Sequence, residues 1–351
     1  MTEIERVVST FASDDAGRRR LDELFAPATV LHVDRRDRRA VERHLDEVDV
    51  AVLRGDAWPA FLDRPRLRWV HCGHAGLDGY APRSLIEQVA LTSSAGRSAR
   101  ALAEHAVMFL LVLGAELPRH QRAQRWRAWG VGRSGAVRGL GARSVLVVGA
   151  GHTGRATAEL LGAFGCRVVG FRRRDEPVDG FEEMRSVEAG DRLVEVVPEV
   201  DAVVLAASLN DSSRHLVDRD VVAAMRSDAL LVNVARGGLL DEAALVDLLG
   251  HGHLGGVGLD VTSVEPLPAG SPLWRAPRTV ITPHVTAPVT DREEATFEIL
   301  AENVRRHRVG TPLLNRLGPD DALDHPRMQR PSPGPLARVH RRVARRLLSR
   351  R

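Results

Sequence analysis

Short apolar runs punctuate the N-terminal part of the chain: RVVSTF, ATVLHV, VDVAVL, LRWVHC and VALTSS. Each has the length and β-branched content of a buried strand, while RRAVERHLDEV between two of them spaces its apolar residues at helical period. Strands alternating with helices predict a parallel α/β sheet. A longer segment follows, SARALAEHAVMFLLVLGAELPRHQRAQRW. It predicts one helix from about Ala99 to Trp126, apolar nearly all round in its middle and so buried between domains or between subunits. A second series then runs SVLVVGAG, CRVVGF, DAVVLAA, ALLVNVA, GGVGLDV and TVITPH. Six strands with crossover helices predict a second, doubly wound parallel sheet. DREEATFEILAENVRRH predicts a last helix, and no repeat stands out beyond the two series.

The 351 residues suffice for two cores, and 44% of them are hydrophobic. No apolar run approaches the roughly eighteen residues that span a bilayer. The opening MTEIERVVSTFASDD has neither a basic start nor a long apolar stretch, so it does not predict a signal peptide. Cys72 and Cys166 lie in apolar surroundings that suit reduced thiols. A cytoplasmic setting is expected.

The formal net charge of +4 first suggests a polyanionic partner. All 50 basic side chains are arginines, and the absence of lysine excludes Schiff-base chemistry. Nine of these arginines and three acids fall in residues 319–351, leaving 41 arginines against 43 acids elsewhere. The basicity therefore belongs to a tail, and the body has no footprint for nucleic acid. That tail, rich in proline and arginine, is expected to be disordered. Leu336, Val339, Val343 and Leu347 leave open a short basic helix for a membrane or a partner.

Gly149, Gly151 and Gly154 form G-x-G-x-x-G between the strand VLVV and the helix RATAELLGAF. The first glycine permits a tight turn, the second lets backbone approach a pyrophosphate, and the third lets helix pack on strand. Backbone N–H groups at His152, Thr153 and Gly154 would face the phosphates from a helix N-terminus. At the end of the next strand, where an acid usually reads the ribose, stands GFRRRDEP. Arg172 and Arg173, with Arg174 behind them, offer donor forks that suit a 2′-phosphate, which predicts NADP in preference to NAD. The alternative is a solvated basic turn with Asp175 or Glu176 as the ribose acid.

VNVARGGLLDEAAL carries Arg236, GLDVTSVEPLP carries Asp260 and Glu265, and ITPHVTAP carries His284. In order and spacing, from about Leu67 to Leu314, the chain resembles the D-isomer-specific 2-hydroxyacid dehydrogenases, a family that includes glyoxylate/hydroxypyruvate reductases and phosphoglycerate dehydrogenases. The chemistry accounts for these residue types. Reducing a 2-oxo acid takes hydride at C2 and a proton on the oxygen, and histidine is a natural proton donor near neutral pH. A carboxylate beside it, Glu265, fixes the ring and favours its charged form. Arg236 can hold the substrate carboxylate and stabilise a developing oxyanion. The resemblance assigns these same roles to the three residues, and implies that Asp260 holds the nicotinamide carboxamide.

WVHCGHAGLDGY resembles the family loop whose amides cradle the substrate carboxylate, which places Ala75 and Gly76 there. His71, Cys72 and His74 leave zinc as a minority alternative, one ligand short of a set. A departure from the family is SLN at Ser208, where a P-L-T stretch is usual; it alters the lining near the cofactor. The resemblance implies two Rossmann-like or flavodoxin-like α/β domains with doubly wound parallel sheets and an active-site cleft between them. Residues 1–97 plus 290–318 would form the substrate domain, 98–289 the dinucleotide-binding domain, and 319–351 the tail. It further implies a homodimer that interconverts a small 2-oxo acid and the D-2-hydroxy acid, with glyoxylate or hydroxypyruvate as substrate. Two alternatives stay open: a non-catalytic dinucleotide-sensing, corepressor-like protein of the same fold, and an enzyme of the same fold that oxidises formate or phosphite.

Overall fold

The structure, a computed structural model, describes residues 3–12, 14–129, 139–286 and 291–324. These divide into two compact units, one holding residues up to 98 together with 209–212 and the segment from 291, the other holding 99–208 and 213–286.

In the first unit, strands β1 (Arg6–Ser9), β2 (Thr29–His32), β3 (Val50–Leu53), β4 (Trp69–Cys72) and β5 (Ala90–Ser93) lie parallel in the order β2-β1-β3-β4-β5. The five apolar runs of the sequence are these five strands. Alternate residues serve opposite faces, as a pleated strand requires. Val8, Ala51, Leu53, Val70 and Leu91 pack with Val41 of the helix Arg38–His44 and with Leu85 of the helix Arg83–Gln88. Val7, Val50, Val52 and Trp69 pack instead with Leu21 and Phe25 of the helix Asp15–Phe25 and with Leu300 and Val304 of the helix Arg292–Val309. Both faces are covered, which is why the strands read as near-continuous apolar runs.

The second unit holds β6 (Ser144–Val148), β7 (Arg167–Arg172), β8 (Glu183–Ser186), β9 (Ala202–Leu205), β10 (Leu230–Asn233), β11 (Gly256–Leu259) and β12 (Thr279–Ile281). Their order is β12-β11-β10-β9-β6-β7-β8, and every pairing is parallel. The strand order reverses at β6, and in such sheets ligands bind beyond the carboxyl ends of the strands at that switch. β8 makes seven strands where the sequence predicts six. Its residues EMRS carry no apolar run, because an edge strand half open to solvent needs only backbone pairing with β7.

The single helix expected from Ala99 to Trp126 is two. Ala99–Gly114 and Leu117–Arg125 meet at an angle of 59°, with Glu116 left-handed at φ 50° between them. Pro118 explains the break: it has no N–H to donate to Gly114, and its ring would clash with that carbonyl. The first of the pair buries Ala106, Phe109, Leu110 and Leu113 against Val145 and Val147 of β6 and Val232 of β10. No single helix among the described residues is long and apolar enough to cross a membrane, although this bent pair passes by length and composition.

Packing also continues past 319, where the tail was expected to begin. Ala322 and Leu323 are buried, Leu323 bridges Ala81, and the Arg83 N–H donates to Asp324 at 2.9 Å. Two apolar side chains suffice to dock this stretch on the first unit. The remainder of the tail lies outside the described residues, including the four apolar positions of the expected basic helix.

Candidate active site

The glycine turn joins β6 to the helix His152–Ala163. Gly149 has φ +101°, and a Cβ there would lie 2.6 Å from the Ala207 backbone after β9. A Cβ on Gly154 would lie 1.8 Å from the Gly149 carbonyl oxygen, whereas one on Gly151 would meet nothing within 4 Å. Two glycines are thus needed for packing, and the third leaves open backbone where a phosphate can approach. The first helical bond runs from the Arg155 N–H to the Gly151 carbonyl at 2.9 Å, and no side chain caps the helix. The N–H groups of His152, Thr153 and Gly154 therefore fall in the turn whose donors have no intrahelical acceptor. With the helix dipole behind them, they fit a pyrophosphate.

Arg172 closes β7, whose Phe171 carbonyl accepts from the Gly149 N–H at 2.8 Å, so the arginine stands beside the glycine turn. Its guanidinium meets the Glu176 carboxylate at 3.3 Å. Asp175 is engaged otherwise: its carboxylate accepts from Ser186 Oγ at 3.3 Å and its N–H donates to Glu188 at 3.0 Å. Arg173 follows with its carbonyl accepting from the Glu188 N–H.

Arg236, Asp260, Glu265 and His284 stand on the segments that leave β10, β11 and β12, three adjacent strands whose last residues Asn233, Leu259 and Ile281 are in register. Asn233, fully buried, shapes the first segment, accepting from the Ala235 N–H at 3.0 Å and donating to the Arg236 carbonyl at 2.9 Å. Arg236 is half-buried. The next residue, Gly237, packs so tightly that a Cβ would lie 2.0 Å from the Thr262 carbonyl carbon, and Ser263 Oγ donates to the Gly237 carbonyl at 3.3 Å. The Arg236 loop therefore rests on the loop that carries Glu265.

Glu265 is held from behind, one carboxylate oxygen accepting from the Thr262 N–H at 3.0 Å. The other lies 2.8 Å from His284 Nδ1. A carboxylate only accepts, so Nδ1 carries the hydrogen and Nε2 is left for a substrate. His284 has φ +52°, a conformation that costs a non-glycine residue free energy and persists only when its surroundings impose it.

Asp260 imposes it. The Asp260 carboxylate is 1% exposed and accepts from Thr282 Oγ1 at 2.5 Å, the Val285 N–H at 3.1 Å and Thr286 Oγ1 at 2.7 Å, while its carbonyl accepts from the His284 N–H at 2.8 Å. The turn that presents His284 is wrapped around this one side chain. His105 joins from the apolar helix, with Nε2 at 2.9 Å from Thr282 Oγ1; burial lowers its pKa against the opposing pull of Asp260. Neither role is visible in the sequence, where His105 sits in a helix whose signal is apolar.

In the first unit, Ala75 and Gly76 follow β4 on a half-buried loop, and no acceptor for their N–H groups is found among the described residues. His71 is fully buried within β4, its ring nitrogens on Thr92 Oγ1 at 3.0 Å and Ser94 Oγ at 3.2 Å. Burial pushes its pKa down to about 3 and the Cys72 thiol up. His74, by contrast, is exposed and pairs with Asp56.

Residues 107–286 match the family model described as D-isomer specific 2-hydroxyacid dehydrogenase, NAD binding domain. The chain belongs to the D-isomer-specific 2-hydroxyacid dehydrogenases. It is 31% identical over 280 residues to an uncharacterised protein of Corynebacterium melassecola encoded 3′ of proB, covering 78% of this chain and 89% of that one. Against D-3-phosphoglycerate dehydrogenase of Mycobacterium tuberculosis it is 29% identical over 281 residues, 78% of this chain, and it spans 52% of that relative's length. Among solved structures, a D-isomer specific 2-hydroxyacid dehydrogenase of Xanthobacter autotrophicus, in complex with NADPH and MES, superposes with a TM-score of 0.72 at 29% identity, covering 90% of this chain and 98% of that one. The matched residues of this dehydrogenase family member include the glycine turn, Arg236, Asp260, Glu265 and His284.

Proposed function

We propose that this chain reduces a small 2-oxo acid to the D-2-hydroxy acid, with glyoxylate or hydroxypyruvate as substrate and NADPH preferred over NADH. The observation that carries the reading is the 2.8 Å pair of His284 and Glu265 on a turn fixed by Asp260. The residues of the glycine turn would hold a reduced nicotinamide dinucleotide, which would supply the hydride for C2. His284 Nε2 gives the proton to the carbonyl oxygen, and Glu265 holds the ring and balances its charge. Arg236 holds the substrate carboxylate and stabilises negative charge as it gathers on the oxygen. In the first unit, the Ala75 and Gly76 amides, with no acceptor among the described residues, are the proposed contacts for a substrate carboxylate.

Gly149, Gly151, His152, Thr153 and Gly154 would receive the pyrophosphate, and Arg172 and Arg173 the 2′-phosphate. Asp260 has acceptor capacity left for a carboxamide N–H, since a carboxylate offers about four lone-pair sites. The working form in this reading is a cytoplasmic homodimer, supported by the exposed Met108, Leu111, Leu117, Trp126 and Trp129 along and after the bent helix pair.

The test is a panel of 2-oxo acids followed at the nicotinamide absorbance with NADPH and with NADH. Turnover of glyoxylate or hydroxypyruvate, faster with NADPH, is the expected result. Tight NADPH binding without turnover of any 2-oxo acid would replace this reading with a dinucleotide-sensing one.

A further inference from the structure

His105, Phe109 and Leu113 stand four residues apart along the helix Ala99–Gly114. Gly256, Gly258 and Asp260 stand two residues apart along β11 and just past its end. The two series face each other. A Cβ on Gly256 would lie 3.0 Å from Leu113 Cδ2, one on Gly258 would lie 2.6 Å from the Phe109 ring, and His105 Nε2 lies 3.6 Å from Asp260 Oδ1. The spacings match because four helical residues rise about 6 Å and two strand residues about 6.6 Å. The bare positions 256 and 258 therefore seat the helix antiparallel on the strand, and that seating delivers an imidazole to the strand's carboxyl end. The Phe109 ring meets the His105 ring edge-on, with centroids 4.8 Å apart.

The hydrogens along this contact run one way. The Asp260 carboxylate only accepts, so the Thr282 hydroxyl points its hydrogen there, at 2.5 Å. Thr282 Oγ1 then has only lone pairs for His105, 2.9 Å away, and Nε2 must carry a hydrogen. Burial lowers the pKa of this ring against the pull of Asp260, and the arrangement needs no charge on it. We propose that His105 is a positioning residue for the reaction: its Nε2–H locks the Thr282 hydroxyl onto Asp260, and so fixes the turn that presents His284. The proposal rests on the reductase reading above. Without the lock, Asp260 keeps the Val285 N–H and Thr286 Oγ1, so the fold should survive. What is lost is a fixed Thr282, whose carbonyl accepts from the His284 N–H at 3.0 Å. The proton donor then samples more orientations than a reacting carbonyl tolerates.

The experiment uses the full chain as wild type, His105→Met, His105→Gln, Thr282→Val and the double variant His105→Met/Thr282→Val. Methionine fills the space and donates nothing, whereas the glutamine amide carries an N–H to nearly the same reach. With NADPH and glyoxylate or hydroxypyruvate, kcat should fall about tenfold in His105→Met, with KM within about twofold, and return to within about threefold of wild type in His105→Gln. Thr282→Val should lose as much, and the double variant no more than Thr282→Val alone, since both cut one link. On the same chains without cofactor, the downfield proton signal of His284 Nδ1–H on Glu265, identified by its absence in His284→Ala, should broaden in His105→Met and sharpen again in His105→Gln. Wild-type kcat in His105→Met with only a lower melting temperature, no rescue in a folded His105→Gln, or losses that multiply in the double variant overturn the assignment. Should His105→Met not fold, Thr282→Val makes the same comparison from the other side of the link, and wild-type kcat there overturns it. A wild type that turns over no 2-oxo acid sinks the reductase reading alone. The His284 signal then decides this inference: broadened in His105→Met it upholds the positioning, unchanged it overturns it.

Discussion

Two histidines on the two sheets show what separates a core residue from a reactive one. His71 lies inside β4, fully buried, with both ring nitrogens on hydroxyls that can serve a neutral ring. His284 lies beyond β12, part-exposed, in a left-handed conformation and against a carboxylate. The first is insulated from the proton chemistry of the solvent; the second is presented to it. Position relative to the strand end, and the nature of the second partner, decide the difference. A histidine in a parallel strand is packing, while one past its carboxyl end beside an acid can move a proton.

The largest way to break the comparison acts on the insulated ring. Burial lowers the His71 pKa from its ordinary value of 6.5 to about 3 in the native chain. Between those values the unfolded chain binds a proton that the native chain refuses, so stability falls as pH drops from 6.5 toward 3 and is unaffected by this group above that window. The cost at the acid end is on the order of a few kcal/mol. Urea midpoints measured across the window should fall less steeply in His71→Gln than in wild type. Equal slopes would mean that His71 is not held neutral.

A smaller effect concerns the turn that presents His284. In Asp260→Asn an amide NH2 faces the Thr286 or Thr282 donors, leaving hydrogen bonds unmade at a cost of about 1–3 kcal/mol. Melting temperature and kcat should fall together in this variant, kcat by roughly tenfold to a hundredfold if the ring is held less well. Wild-type kcat in Asp260→Asn would contradict the view that this carboxylate positions the turn.

The smallest expected effect is on the cofactor side. On the proposed reading Arg172 would exchange Glu176 for a 2′-phosphate, so the net gain would be that of one charged hydrogen-bonded contact less the pair it replaces. Arg172→Ala should weaken NADPH binding by about tenfold and leave NADH binding nearly unchanged. An equal loss for both cofactors would assign Arg172 to the fold rather than to the phosphate.

Eleven of the twelve strands could be read from the sequence, because a strand buried on both faces must be apolar at nearly every position. β8 could not, since EMRS at the sheet edge draws its order from β7. The helix break at Glu116 had its signal in Pro118, outweighed there by the apolar periodicity of the preceding turns. Glu265 and His284 were legible through their spacing in a known family. The Asp260 clasp, His105 on Thr282 and the His74–Asp56 pair were not, because each joins residues from different segments, 18 or more positions apart, that only the fold brings together.

The most direct measurement compares His284→Ala with wild type, reading NADPH binding by fluorescence and glyoxylate reduction at the nicotinamide absorbance on the same samples. A proton donor positioned as described contributes about 10²–10⁴-fold, so turnover should fall by that order while the NADPH dissociation constant stays within a factor of about two. Undiminished turnover at neutral pH in His284→Ala would contradict the account.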